Sequence, residues 1–414
     1  MGDLNYLFLD FNAYFASVEQ QLRPSLRGKP VGVVPVMTDS SSCIAASYEA
    51  KAYGIGTGTG VGEARRLCPG IRLLQARPST YVELHHQLVA LVESCMHVDA
   101  VLSIDEMTCP LTGKWRERGE AEALAHEIKA KLRRDFSAIK CSIGLSTNGF
   151  LAKTAAELHK PDGLTVLERG DLPDALLHLK LDDLCGIGKN RLRHLHASGI
   201  YTMDQLYRAS VPKLRKVWGG VEGERMHALL RGHEVWRPPQ KTTTIGHSHV
   251  LPPHLRTPAK ARSVFHKLLQ KAAMRLRQGR WMACRVHLQL KYFDGYSWED
   301  QMKILETQHT RELADALDRL YARRAYPQAK PLAVGVSLSG LVPEAQQTVR
   351  LFPASEAKNE QLDAAMDKIN QQYGNGSVFW GEATEAIVAE AAPMRISFTH
   401  IPHTATEEDR ARSR

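Results

Sequence analysis

The chain has 414 residues, 43% of them hydrophobic, and 54 basic side chains against 45 acidic ones. That length predicts roughly two to four domains, and the hydrophobic share supplies packed cores and excludes wholesale disorder. Seven cysteines with no C-x-x-C spacing exclude a disulfide framework and a zinc ribbon and fit a reducing cytoplasm, and no apolar run is long enough to cross a membrane.

In chain order, Met1 to Tyr6 lacks the basic and apolar regions of a signal peptide, and Tyr6 fails the myristoylation pattern opened by Gly2. Tyr6–Phe11 reads as a buried strand with Asp10 inside it, and Asn12 is placed to cap a helix from Ala13 to about Leu22. Pro24, Gly28 and Pro30 break the pattern before a second strand at Val31–Val34. Residues 44–68 read as small helices joined by the Gly-rich stretch 54–60, residues 80–97 as a helix, and 98–104 as a strand running into Asp105 and Glu106. A helix over 119–135, a strand over 141–145 and a helix over 147–159 follow, so residues 1–165 alternate like an α+β or α/β unit. Residues 170–235 show no strand and read as a small helical domain. A Pro-rich link (Arg237, Pro238, Pro239, Pro252, Pro253) precedes a helix at 257–278, strands near 282–292 and 299–307, a helix at 309–323 and a strand at 331–339. Together these predict a β-α-β-β-α-β-like unit. Beyond Pro353 the chain is acidic and Ala-rich, with one amphipathic helix at about 356–371.

Asp10 lies in an apolar strand, and Asp105-Glu106 follow the apolar run Val98 to Ile104. Singly, Asp10 could cap the next helix and the pair could be solvated loop acids. Brought together at strand ends, three carboxylates would repel one another unless a cation sat between them, because an unpartnered buried charge costs several kcal/mol. Oxygen ligands favour Mg²⁺, and two such ions on three carboxylates serve in-line phosphoryl or nucleotidyl transfer.

The basic excess is localised. Residues 241–350 hold 18 basic against 8 acidic side chains, which suggests a polyanion partner. Within them, residues 251–280 have eight basic side chains and no acidic one. Phe265, Leu268, Leu269, Ala272 and Leu276 mark the core face of this helix, leaving a cationic face with Arg262, Lys267, Lys271, Arg275 and Arg277 as expected phosphate contacts. Earlier, Gly186, Gly188 and Lys189, leading into Arg191 and Arg193, read as a helix-hairpin-helix whose backbone N–H groups approach a DNA phosphate, although an ordinary Gly turn has the same pattern.

The run Leu9-Asp10-Phe11-Asn12-Ala13-Tyr14-Phe15-Ala16-Ser17-Val18-Glu19 resembles the opening motif of the Y-family DNA polymerases. Ser103-Ile104-Asp105-Glu106 resembles their second carboxylate motif, and Ala46 to Gly54 their fingers motif. Ser146-Thr147-Asn148 through Lys153, followed by Lys160-Pro161-Asp162-Gly163, resembles a third palm motif. The motifs keep the family order over about residues 5–353. The resemblance implies an α+β multidomain right hand. Its palm would be residues 1–20 and 77–165, its small fingers 21–76, and its helical thumb with the helix-hairpin-helix 166–235. A linker at 236–250 would lead to a little finger at 241–345 and a C-terminal extension at 346–414. It implies a catalytic, metal-binding set of Asp10, Asp105 and Glu106, with the Phe11 carbonyl on the nucleotide-side ion and two Mg²⁺ ions as cofactors. Tyr14, Phe15, Tyr48, Lys51 and Lys160 would meet the incoming deoxynucleoside triphosphate, with Phe15 as the steric gate against a 2′-hydroxyl. Asn12 stands where many members have a second Asp, and Lys51 replaces a commoner Arg, which keeps the charge but loses the bidentate fork.

Gln347, Leu351 and Phe352 loosely resemble a sliding-clamp-binding peptide, with a linker packed on the little finger as the alternative. The implied activity is low-fidelity translesion synthesis by a cytoplasmic monomer on primer–template DNA, with no membrane partner. A non-catalytic DNA-binding adaptor would lack the carboxylates that this chain retains. A cyclase-like enzyme on a similar palm would need neither the basic block nor the helix-hairpin-helix.

Overall fold

The alternation in Leu7-Phe8-Leu9-Asp10-Phe11 sets the first strand of the computed structural model, which describes residues 3–39, 41–236, 241–346, 356–394 and 401–402. Two units result, one from residues up to 237 and one from residues 238–395, each mixing helices and sheet in an α+β architecture.

In the first unit the elements are β1 (Tyr6–Phe11), α1 (Tyr14–Leu22), β2 (Val31–Val34), β3 (Ala45–Ala46), α2 (Tyr48–Lys51), α3 (Val61–Leu67), β4 (Arg72–Gln75), α4 (Pro78–Glu93), β5 (Ala100–Val101), β6 (Glu106–Pro110), α5 (Arg118–Asp135), β7 (Cys141–Ser146), α6 (Gly149–Leu158) and β8 (Leu164–Leu167). Four helices follow: α7 (Lys189–Ala197), α8 (Met203–Arg208), α9 (Val211–Trp218) and α10 (Val221–Leu229). The main sheet runs β5-β6-β1-β7-β8, with β1 antiparallel to both neighbours, and β3-β2-β4 form a smaller sheet. Because side chains alternate across a strand, Leu7, Leu9 and Phe11 enter the core shared with α1, α4 and α5, while Phe8 packs on Ala152 and Ala156 of α6. Asp10 shares the Phe8 face. α6 lies close on β7 because residue 144 is glycine: a Cβ there would come within 1.9 Å of the Ala152 carbonyl oxygen.

Three local expectations change. Asn12 does not cap α1. The N-cap position is Ala13, in the left-handed region at φ 49°. Residues 98–104 are not one strand: only Ala100–Val101 pair with β6, and the chain turns at Ser103-Ile104-Asp105, with the Leu102 and Ser103 N–H groups both donating to the Glu106 carbonyl. α6 starts at Gly149 because the Asn148 side chain accepts from the Leu151 N–H at 2.8 Å.

The second unit contains β9 (Thr244–Val250), α11 (Pro258–Gln278), β10 (Trp281–Tyr292), β11 (Ser297–Thr307), α12 (Thr310–Ala322), β12 (Pro331–Ser339), β13 (Val342–Pro343), α13 (Glu356–Tyr373) and α14 (Thr384–Val388). Its sheet runs β11-β10-β12-β9. The unlocated first strand of the expected unit is β9. Its inward positions are Ile245, His247 and His249, and the two histidines hide the alternation. Val286, Leu288 and Leu290 pack under α11 and α12. The opposite face carries Arg285, His287, Gln289 and Lys291 of β10 and Lys303 of β11, and the helices of this unit that pack on the sheet, α11 and α12, lie on the other side.

Candidate active site

Antiparallel register puts Asp10 directly opposite Glu106, on the face of the sheet that α6 covers. Like charges facing each other across a ladder destabilise it unless cations intervene. Two lysines from the α6 region do so. Lys153 donates to both oxygens of Glu106 at 2.6 and 2.8 Å, and Lys160 donates to Asp10 at 2.8 Å. Lys160 also donates to Glu157 at 2.7 Å. One carboxylate oxygen each from Asp10, Glu106 and Glu157 lie within 4.8 Å of one another.

Asp10 is buried at 6% exposure, and desolvation lifts its pKa from 3.8 to about 7. Lys160 pulls it down, and the charges of Asp105 and Glu157 push it up. Burial alone would lower the pKa of Lys160, but Asp10 and then Glu157 together raise it. An oxygen-only donor set of clustered carboxylates suits a hard divalent cation. Asp10 and Glu106 fit such an ion, with the Glu157 carboxylate beside them. Asp105 does not join this trio. Its carboxylate accepts from the Ser103 hydroxyl at the turn before β6, although it lines the same cleft.

That cleft has a volume of about 540 Å³ and is lined by Asp10, Phe11, Tyr14, Phe15, Tyr48, Lys51, Asp105 and Lys160. Eight of the sequence-predicted residues thus meet in one place. Phe15 stacks on Tyr81 with ring centroids 4.7 Å apart. Tyr81 is in turn fixed by Glu19, which is fully buried and paired with both Arg77 and the Tyr81 hydroxyl. Tyr14 faces inward. Its hydroxyl donates to the Tyr81 carbonyl, and burial raises its pKa, so it forms floor rather than rim. Lys51 lies 4.2 Å from the Tyr48 ring centroid, and burial, followed by the Lys160 charge, lowers its pKa.

Supporting residues were not evident in the sequence. Asn12, 2% exposed, accepts from the Asp162 N–H at 2.7 Å and donates to Ser142, so it fixes the 160–163 loop instead of capping α1. Lys129 pairs with Asp162 at 2.6 Å and donates to the Cys141 carbonyl, securing the same loop. His85 lies 2.8 Å from the Ile104 carbonyl oxygen and holds the Asp105 turn; its burial disfavours the charged ring. Each of these contacts joins segments far apart in sequence, which local pattern cannot reveal.

The expected DNA contacts divide. Gly186 (φ +84°), Gly188 and Lys189 are exposed at the start of α7, as a phosphate-facing turn requires. Arg191 turns inward, bonding the Val217 carbonyl and lying over Trp218. The cationic face expected on α11 is largely consumed. Lys267 and Lys271 are buried and donate to the carbonyls of Ala391 and Ala392. Arg277 makes a bidentate pair with Asp367, and Arg262 makes one with Asp318. Arg275 stays partly exposed. The acids missing from the helix come from α12 and α13, so charge composition along α11 alone misreported its surface. Gln347, Leu351 and Phe352 lie outside the described residues. Among the described residues no helix is long and apolar enough to cross a membrane.

Known proteins resemble this chain over most of its length. Residues 9–157 match the impB/mucB/samB family, and residues 242–351 match the impB/mucB/samB family C-terminal domain. The chain is 35% identical to DNA polymerase IV of Moorella thermoacetica over 383 residues, covering 90% of this chain and 94% of that one. It is 31% identical to DNA polymerase IV of Pelotomaculum thermopropionicum, covering 90% and 93%. Among solved structures, a Y-family DNA polymerase chimera of Dbh and Dpo4 shares the fold with a TM-score of 0.70 at 23% identity, covering 82% of this chain and 99% of that one.

Proposed function

This chain belongs to the impB/mucB/samB family and is a DNA-directed DNA polymerase of the Y family, and on that basis we propose that it extends a primer 3′-hydroxyl by two-metal nucleotidyl transfer. The observation that carries the proposal is the register of β1 and β6. It sets Asp10 against Glu106, with Asp105 one residue away, at a cleft whose other walls are Phe15, Tyr48, Lys51 and Lys160.

Asp10, Asp105, Glu106 and the Phe11 carbonyl would hold the ions. Bound there, two Mg²⁺ would lower the pKa of the attacking hydroxyl and offset charge on the leaving pyrophosphate. Tyr48, Lys51 and Lys160 bind the triphosphate of the incoming deoxynucleotide, and both ammonium groups are within reach of the cleft. Phe15, backed by Tyr81, would pack under the sugar and exclude a 2′-hydroxyl.

The palm is residues 1–20 and 77–165, the fingers 21–76, the thumb 166–235 and the little finger 241–345. Gly186, Gly188 and Lys189 grip a primer–template phosphate from the thumb. In the little finger we assign the main DNA contact to the open sheet face with Arg285, Lys291 and Lys303, because the α11 cations are already paired. Arg275 remains an available contact. Gln347, Leu351 and Phe352 are assigned to a sliding clamp, and the enzyme acts as a cytoplasmic monomer in repair of damaged templates.

Primer extension by the purified chain with Mg²⁺ and four deoxynucleotides tests the reaction, run beside nucleotide without DNA. Extension that needs the template supports the proposal. Product from nucleotide alone would instead indicate a small-substrate nucleotidyl enzyme, and DNA binding without extension would indicate an adaptor.

A further inference from the structure

Glu157 lies outside the motif residues expected from the sequence, yet its carboxylate stands beside Asp10 and Glu106. It sits in the last turn of α6, three residues before Lys160. The Lys160 ammonium lies between the two acids, 2.8 Å from Asp10 and 2.7 Å from Glu157. The acids differ in setting: the Asp10 side chain is 9% exposed and that of Glu157 44%. One ammonium thus bridges an inner acid and a rim acid.

Lys160 holds one oxygen of Asp10, so a divalent cation taken up through that oxygen displaces the ammonium. Leaving for water would carry Lys160 out of the cleft, and leaving with no partner would strand a charge that is 22% exposed. Glu157 offers a third course. Its helix is seated on β7 by the Gly144 contact, so the backbone that carries this carboxylate is held beside the displaced lysine.

We propose that Glu157 is a positioning residue that keeps hold of Lys160 when a metal ion displaces it from Asp10, easing metal entry and leaving the ammonium at the cleft rim for the triphosphate. This rests on Asp10 as a metal ligand. The competing role for the same geometry is direct ligation of the ion by Glu157. The two differ in their dependence on Lys160. A holding role vanishes when there is no ammonium to hold, whereas a ligand acts with or without it.

The test is a double-mutant cycle on Mn²⁺ binding to the full chain without DNA or nucleotide, with the free ion read by electron paramagnetic resonance. Glu157→Gln should weaken Mn²⁺ binding by about fivefold, the scale of one half-exposed ion pair. In a Lys160→Met background the same change should alter binding by less than about twofold. A second readout is the nucleotide KM at saturating metal, which Glu157→Gln should raise with kcat little changed and Glu157→Asp should partly restore. Equal weakening in both backgrounds would overturn the proposal and make Glu157 a ligand. No weakening in the native-lysine background would also overturn it. Asp10→Asn serves as the separate control: if it leaves Mn²⁺ binding unchanged, the assignment of Asp10 as ligand fails first.

Discussion

Burial of Asp10 on the α6 side of β1 moves its pKa from 3.8 to about 7 despite the nearby Lys160. The folded chain therefore holds a proton there, between about pH 4 and pH 7, that the unfolded chain has lost. This group favours folding most at pH values below its unfolded pKa, and the contribution disappears as pH rises through about 7. In chelator-treated protein, wild-type Tm should consequently fall relative to that of Asp10→Asn as pH rises from about 5 to about 8. A constant difference across that range, measured by thermal unfolding, would contradict the perturbed carboxyl. Phe15 acts at the same scale. It is stacked on Tyr81, and if it is the proposed sugar gate, Phe15→Ala should improve ribonucleotide insertion by about a hundredfold in single-nucleotide kinetics, with deoxynucleotide insertion much less affected. Unchanged sugar discrimination would remove Phe15 from that role.

At the scale of elements, α6 and α11 show what a one-dimensional pattern can and cannot carry. The strand holding Asp10 and the helix behind it were legible because apolar spacing reports which face is inside. The gathering of Asp10, Phe15, Tyr48, Lys51, Asp105 and Lys160 followed from four motifs in order, and the cleft contains all of them. The surface of α11 was not legible. Its lack of acids suggested a bare cationic face, but Asp318, Asp363 and Asp367 arrive from other helices, and two lysines cap the carbonyls at Ala391 and Ala392. The supporting roles of Asn12, Lys129 and His85 escaped notice for the same reason, since each acts on a residue well removed in sequence. The sheet should accordingly carry the DNA contact. Lys291→Ala should weaken primer–template binding and lower the slope of log K against log salt by about one, whereas Lys267→Met should leave both unchanged. Fluorescence anisotropy across a salt series decides between them. A reduced slope for Lys267→Met alone would restore the helix as the contact.

Across the whole molecule, the formal charge of +9 is concentrated in residues 241–350, and the acidic stretch after them offsets part of it. α13 supplies Asp363 and Asp367 to Arg277, so some of that offset is spent inside the second unit as ion pairs that fasten the extension to α11. The proposed DNA contacts are the sheet face, Arg275 and the α7 turn. The chemistry is concentrated where β1 meets β6. The most direct measurement of the central claim is single-turnover incorporation of one correct deoxynucleotide by Asp105→Ala, beside its affinity for the same primer–template. Loss of at least about a thousandfold in rate with binding within about twofold of wild type is the expected result, since a carboxylate that serves metal acts on the transition state and not on the duplex. Equal loss of rate and DNA binding, or a rate close to wild type, would contradict the assignment of these carboxylates as the metal-binding centre.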